Sequence, residues 1–310
     1  MKRMIAIVLT MAMCLSMCLG MSACGGEKTD YTVAVCQLME HESLDKATQG
    51  FKEGLTAALE AEGKTVAFDV QVAGGTDLCT TVVGAFVSKN VDLIMGNATP
   101  ALLAAANATT TIPVLGTSVT DYNDTFSGNI PANVSGTSDA VPFDEQAQMM
   151  IDTLKLAEGD QVGVLYCSDE SNSKIQYEAV KALFEAEGIA VKAYTFSETT
   201  QLQTLTTTAC GECKAIYIPS DNTVADNDSI VGTICSEKKI PVYTSYGGSI
   251  CYASLAIDYY ELGVETGKMA AQILLGQKTP ADIEIKTLTP TVEYNKELCQ
   301  TLGIAIPEAE

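Results

Sequence analysis

Short apolar runs alternate with longer amphipathic stretches through most of the chain. Residues 32–38, 65–72, 91–96 and 112–116 are nearly continuous apolar or β-branched segments of strand length, the pattern of strands buried on both faces. Residues 44–62, 77–89 and 100–109 lie between them and carry helical periodicity. In the first of these Phe51, Leu55, Ala58 and Leu59 share a face and Gly63 supplies the stop. The alternation then starts again. It predicts strands at 161–167, 190–196, 214–218 and 241–246, with helices at 173–187, 200–209 and 227–237. Strand–helix alternation of this kind predicts parallel sheets with helices on both faces.

The two halves also match in wording. Glu60-Ala61-Glu62-Gly63 recurs as Glu185-Ala186-Glu187-Gly188, and Ile112-Pro113-Val114 as Ile240-Pro241-Val242, at nearly the same offset. Matches at one offset in equivalent elements predict two lobes of one plan. Three stretches are candidates for crossing between them: 133–139, 253–258 and 284–293. A helix predicted at 260–275 and stopped by Gly276 follows the second. Three crossings would make a hinge around a cleft.

Composition narrows the chemistry. With 39 acidic residues against 18 basic, the net charge is −21, and such a surface repels nucleic acid and anionic lipid. It suits a protein that works as a monomer. Arg3 is the sole arginine, and it lies with Lys2 ahead of an apolar run over 4–19. That run is too short for a spanning helix and reads as a secretory signal. Met21-Ser22-Ala23-Cys24 resembles the bacterial lipoprotein cleavage box, which implies lipidation of Cys24 and an anchor on the outer face of the cell membrane. The expected plan is a signal at 1–23, a linker at 24–31, a first lobe at 32–137 plus 259–282 and a second at 138–258 plus 283–310. A mature chain without arginine has no guanidinium to clamp a ligand carboxylate.

Of 11 cysteines, most sit inside apolar runs and behave as small hydrophobes. Cys210-Gly211-Glu212-Cys213 reads as a loop thiol pair or local disulfide, since a zinc site needs more ligands and His41 is the only histidine. No metal cluster, cofactor loop or catalytic triad stands out, so no catalytic residue, metal or cofactor is expected.

The densest candidate chemistry lies at strand ends. The run Ala215-Ile216-Tyr217-Ile218-Pro219 delivers Asp221, Asn222 and Thr223, and ligands of open α/β sheets sit beyond such ends. Asn97 and Thr99 open a helix with Pro100 near its first position, and Thr117 and Ser118 end the next strand. Backbone N–H groups and hydroxyls there suit an anion. For a ligand ammonium, Asp221 is the first choice, with Glu170 and Asp258 behind it. Gln37, Glu40, His41, Ser168, Asn172 and Ser173 complete the set, and Tyr246, Tyr259 and Phe143 are candidates for stacking on an aromatic ligand. Each has a structural alternative: helix capping for the Asp, Asn, Ser and Thr residues, a hinge hydrogen bond for Asp258, core packing for the aromatics.

Several motifs, in order, resemble one family. They are Gln37-Leu38-Met39-Glu40-His41, Asn97-Ala98-Thr99-Pro100-Ala101, Ser135-Gly136-Thr137-Ser138-Asp139, Glu170-Ser171-Asn172-Ser173, Pro219-Ser220-Asp221-Asn222-Thr223 and Ile257-Asp258-Tyr259-Tyr260-Glu261-Leu262-Gly263. The chain resembles the substrate-binding lipoproteins of ABC importers, and among them the tryptophan/tyrosine-binding family. The resemblance implies an α/β fold of two Rossmann-like lobes, the type I periplasmic-binding-protein fold, joined by three hinge crossings around a cleft. It also implies a permease partner and capture of an aromatic or other apolar amino acid. Glu42 and Cys167-Ser168-Asp169-Glu170 depart from the family pattern at the presumed cleft. A different class remains open: a sensory module that presents a sugar or nucleoside to a receptor.

Overall fold

The computed structural model describes residues 29–307. Five parallel strands build a first sheet: β1 (Tyr31–Gln37), β2 (Val66–Val72), β3 (Leu93–Asn97), β4 (Val114–Val119) and β5 (Val134–Ser138). Five more build a second: β6 (Gln161–Cys167), β7 (Ala190–Phe196), β8 (Ala215–Ile218), β9 (Val242–Thr244) and β10 (Ala253–Ala256). Two late strands, β11 (Lys286–Thr287) and β12 (Thr291–Tyr294), add one edge to each. The orders are β11-β5-β4-β3-β1-β2 and β12-β10-β9-β8-β6-β7. Strand for strand, the second sheet repeats the first, as the recurring motifs predict. Every pairing is parallel except that of β12 with β10.

Burial on both faces explains why these strands read as apolar runs. In β1, Val33 and Val35 enter one core and Ala34 and Cys36 the other. In β6, Val162 and Val164 face one side while Leu165 and Cys167 face the other. Both sheets reverse their strand order beside their first strand, between β1 and β3 and between β6 and β8. Those switch points open crevices at the carboxyl ends of the strands.

The chain crosses between the sheets three times: after β5, after β10, and between β11 and β12. The second crossing leads into the helix Tyr259–Leu274, which returns to the first lobe and packs on the helix Glu42–Glu60. Glycines face each other there. A Cβ on Gly263 would lie 2.1 Å from the carbonyl oxygen of Ala47, and one on Gly50 would lie 2.0 Å from that of Tyr260. Gly54 and Gly267 sit one turn further along the same contact, so the two backbones touch where any side chain would part them.

Four helices lie outside those that periodicity predicts, the single turn Tyr122–Thr125 among them. Phe143–Leu154 buries Gln146, which bonds Ser245, Tyr217 and the carbonyl of Leu255 and so hides the apolar stripe behind a polar residue. Asn222–Asp226 is a single turn, and Lys296–Leu302 lies beyond the last predicted crossing. The cysteine expectation is corrected. Cys210 lies within the helix Leu202–Glu212, with its sulfur 3.5 Å from that of Cys235 and not paired with Cys213. Cys213 bonds Tyr194 and Gln161 instead. Among the described residues no helix is long and apolar enough to cross a membrane. The predicted signal and Cys24 lie outside the described residues.

Candidate functional site

The strand ends of the two sheets face a common cleft. Its outer part is a cavity of about 650 Å³, within the usual range for ligand sites. Glu40, His41, Tyr246, Asp258 and Tyr259 are among its lining residues. The cleft narrows to an inner hollow of about 10 Å³, room for one water-sized group. Ser118 and Asp139 line it from the first lobe side, Asp221 and Asn222 from the second. His41, Ala225, Tyr246 and Tyr259 line both parts, so the two spaces are continuous.

Two carboxylates organise the second-lobe wall. Asp221 is fully buried and accepts three hydrogen bonds, from the amides of Val224 and Cys167 and from the Ser173 hydroxyl, each at 2.8 Å. It thereby caps the helix Asn222–Asp226 and ties β8 to β6. Glu170 accepts from the Asn222 amide at 2.9 Å, the Asn222 side chain at 2.6 Å, the Thr223 amide at 2.8 Å and the Thr223 hydroxyl at 2.7 Å. Two orphan amides at one short helix start are satisfied this way, together with two side-chain donors. Burial, and then the charge of Glu170, push the Asp221 carboxyl well above the ordinary range.

The first-lobe wall holds strain. Ala98 and Ser118 have φ of +86° and +56°, a region that residues other than glycine rarely enter. Ala98 sits between β3 and the next helix, and Ser118 at the register shift near the end of β4. Ala98 bonds Thr117 and Leu102 through its backbone, and the turn carries Thr99 into the helix Thr99–Ala108. Strain of this kind collects at functional sites.

The candidate site residues separate into groups. Gln37, Asn97 and Thr48 form a buried network in the first lobe, with Gln37 spent on Met39, Asp45 and Thr48. Thr117 bonds Thr137, which bonds Thr266, away from the cleft. Ser168 bonds Asp169 and Phe196 and lies outside both spaces. Asp258 lines the outer cleft and caps the helix Tyr259–Leu274, accepting from Tyr260 and Glu261, where its structural alternative is a hinge hydrogen bond. Phe143 packs in the second-lobe core. His41, Ser118, Asp221, Asn222, Tyr246 and Tyr259 do meet around the hollow.

Among the described residues, five buried side-chain oxygens have no partner: Asn97 Oδ1, Thr99 Oγ1, Ser118 Oγ, Asn172 Oδ1 and Tyr246 OH. All five belong to residues that stand at the sheet-end turns of the two lobes. Asp139 was missed as a site residue. The sequence places it in a polar crossing strand and in a family motif, without the apolar run that precedes Asp221. It accepts from Thr120 at 3.1 Å and from the Tyr259 hydroxyl at 2.9 Å. No group of three or more potential ligands among the described residues could hold a metal ion.

Residues 32–309 match the model of a family described as ABC transporter substrate binding protein. A tyrosine-binding protein of Clostridioides difficile is 32% identical over 326 residues, 98% of this chain and 93% of that protein. The crystal structure of a Streptococcus pneumoniae ABC domain in complex with L-Trp is 32% identical, with a TM-score of 0.81 over 89% of this chain and 96% of that one. A ligand-free, open structure of a C. difficile substrate-binding protein with adhesive properties is 30% identical, yet its TM-score is 0.65 over 90% and 97%. With two duplicated sheets, a cleft at their switch points and a family match across both, the chain belongs to the ABC transporter substrate-binding proteins.

Proposed function

We propose that this protein captures a free amino acid with an aromatic side chain, tyrosine or tryptophan, by closing its two lobes, and hands it to an ABC permease in the membrane. The observation that carries this reading is a pair of unpartnered buried oxygens on the cleft walls, Ser118 Oγ and Tyr246 OH, both on residues that line the inner hollow. A buried polar group without a partner costs about 1–3 kcal/mol, so the walls are built for a polar ligand. The hydroxyls of Ser118 and Thr99, with the N-terminal amides of the helix Thr99–Ala108, suit the ligand carboxylate where no arginine is available. Tyr246, Tyr259 and Ile257 offer the outer cleft an apolar wall for a ring. Relatives that bind tyrosine and L-Trp support the same class.

The protein binds its ligand without turnover and acts as a monomer. A signal at 1–23 and a lipid on Cys24 hold it outside the cell, on the membrane's outer face. The lobes follow the boundaries 32–137 plus 259–282 and 138–258 plus 283–310, with Lys286 and Thr287 returning to the first sheet before the last crossing.

A thermal-shift and calorimetry screen tests the reading. L-tyrosine or L-tryptophan should raise the unfolding midpoint, by about 2.7 kcal/mol of stability at a hundredfold excess over the dissociation constant. Ribose, glucose and nucleosides should not. Stabilisation by a sugar or nucleoside and by no amino acid overturns it.

A further inference from the structure

The sequence makes Asp221 the natural partner for a ligand ammonium, but its three donors already occupy both oxygens, and two of them are backbone amides. Glu170 is committed in the same way to Asn222 and Thr223 and lines neither part of the cleft. Glu40, Asp226 and Asp228 line only the outer cleft. One other carboxylate lines the inner hollow, and that is Asp139. It is 6% exposed, and each of its oxygens accepts one hydrogen bond, both from hydroxyls. A carboxylate has about four acceptor sites, so two remain for a cation.

Its place in the chain matters as much. Asp139 follows β5 on the first crossing, and Tyr259 opens the helix that follows the second. The 2.9 Å bond between them therefore ties two hinge segments at the floor of the cleft. We propose that Asp139 holds the ligand's ammonium group in the inner hollow, and that Tyr259 positions Asp139 for it. The proposal rests on the amino-acid reading above and deepens it. The hollow has room for one water-sized group, the size of an ammonium head, while the rest of the ligand extends into the outer cleft. Burial pushes the Asp139 carboxyl above its ordinary value, with the Tyr259 and Thr120 bonds acting against that, and an ammonium group beside it would favour the charged form.

The test pairs a variant with a ligand that lacks the group in question. Asp139→Asn is mild, because the Thr120 and Tyr259 hydroxyls can turn to accept where they donated. Calorimetry with L-tyrosine and L-tryptophan, and with their deaminated analogues 3-(4-hydroxyphenyl)propionate and indole-3-propionate, should separate the roles. D139N should weaken the amino acid about 10- to 100-fold and change the analogue by less than about threefold. Equal losses for both ligands would mean that Asp139 only shapes the floor, and an unchanged amino-acid affinity would place the ammonium elsewhere; either result overturns the proposal. Tyr259→Phe is the second variant, and it decides the matter if D139N fails to fold. It keeps the charge and volume and should weaken the amino acid more than the analogue, whereas equal loss counts against the proposal. If the unaltered protein binds no amino acid, the broader reading fails and takes this one with it. If it binds and the variants do not discriminate, only the assignment to Asp139 fails.

Discussion

Nε2 of His41 lies 3.2 Å from Oδ1 of Asn222, 181 residues away on the opposite lobe. The Asn222 side-chain amide already donates to Glu170, so its oxygen is the acceptor and His41 is the donor. The bond therefore exists in this arrangement of the lobes and is lost when they part.

This latch makes ligand affinity depend on pH. Burial lowers the His41 pKa, against the pull of Asn222 and the charges of Glu170, Asp45 and Asp226. A ring whose closed-state pKa is depressed binds fewer protons than the same ring in an open cleft, near its ordinary ~6.5. Closure is thus unopposed above pH ~6.5 and is penalised as the pH falls below it. Calorimetry from pH 7.5 to 5.5 should show affinity falling, by at most about tenfold per pH unit for one proton. His41→Gln keeps a donor and removes the titration, so its profile should be flatter.

Asp221→Asn should cost stability. The amide has one acceptor oxygen, while Val224 and Cys167 present fixed N–H donors to different carboxylate oxygens. One buried N–H then meets an NH₂ group, at a cost of about 1–3 kcal/mol in urea unfolding. A fully stable variant would show that the turn does not depend on this cap.

Ser118→Ala should separate stability from binding. Its hydroxyl has no partner, so the ligand-free protein should unfold at the same midpoint or higher. Ligand affinity should fall by about 1.5–3 kcal/mol if the hydroxyl holds a carboxylate. A drop in the ligand-free midpoint with unchanged affinity would refute that role.

The helix contact gives a matched pair. Gly263→Ala places a Cβ 2.1 Å from the Ala47 carbonyl oxygen, an overpacking worth about 1–3 kcal/mol of destabilisation. Gly84, in the helix Thr76–Ser88, has open space around its Cβ position. Gly84→Ala should therefore stabilise by about 0.5–1 kcal/mol through helix propensity. Chemical denaturation of both variants checks the sign of each.

Much of the fold is legible because burial on both faces writes itself into the chain as apolar runs. β6 and β7 fall at their predicted positions, and most other strands shift by one or two residues. The helix Asn222–Asp226 is too short to show a period, and it is held by Asp221, its own cap, and by Glu170, which arrives from the turn after β6. Cys210 and Cys213 look like partners by spacing, but Cys213 leaves the helix in extended backbone and bonds Tyr194, while a second helix brings Cys235 to Cys210.

The sequence by itself determined two duplicated α/β halves, the chemistry offered at the strand ends and the want of an arginine, since periodicity and composition are properties of the chain alone. Which of those polar groups meet a ligand was decided only in three dimensions. Asp221 and Asp139 are both carboxylates at strand ends. One is saturated by amides brought from β6 and its own turn, and the other is left with open acceptor sites over a hollow. Hydrogen-bond saturation depends on partners distant in sequence, and no local pattern encodes it.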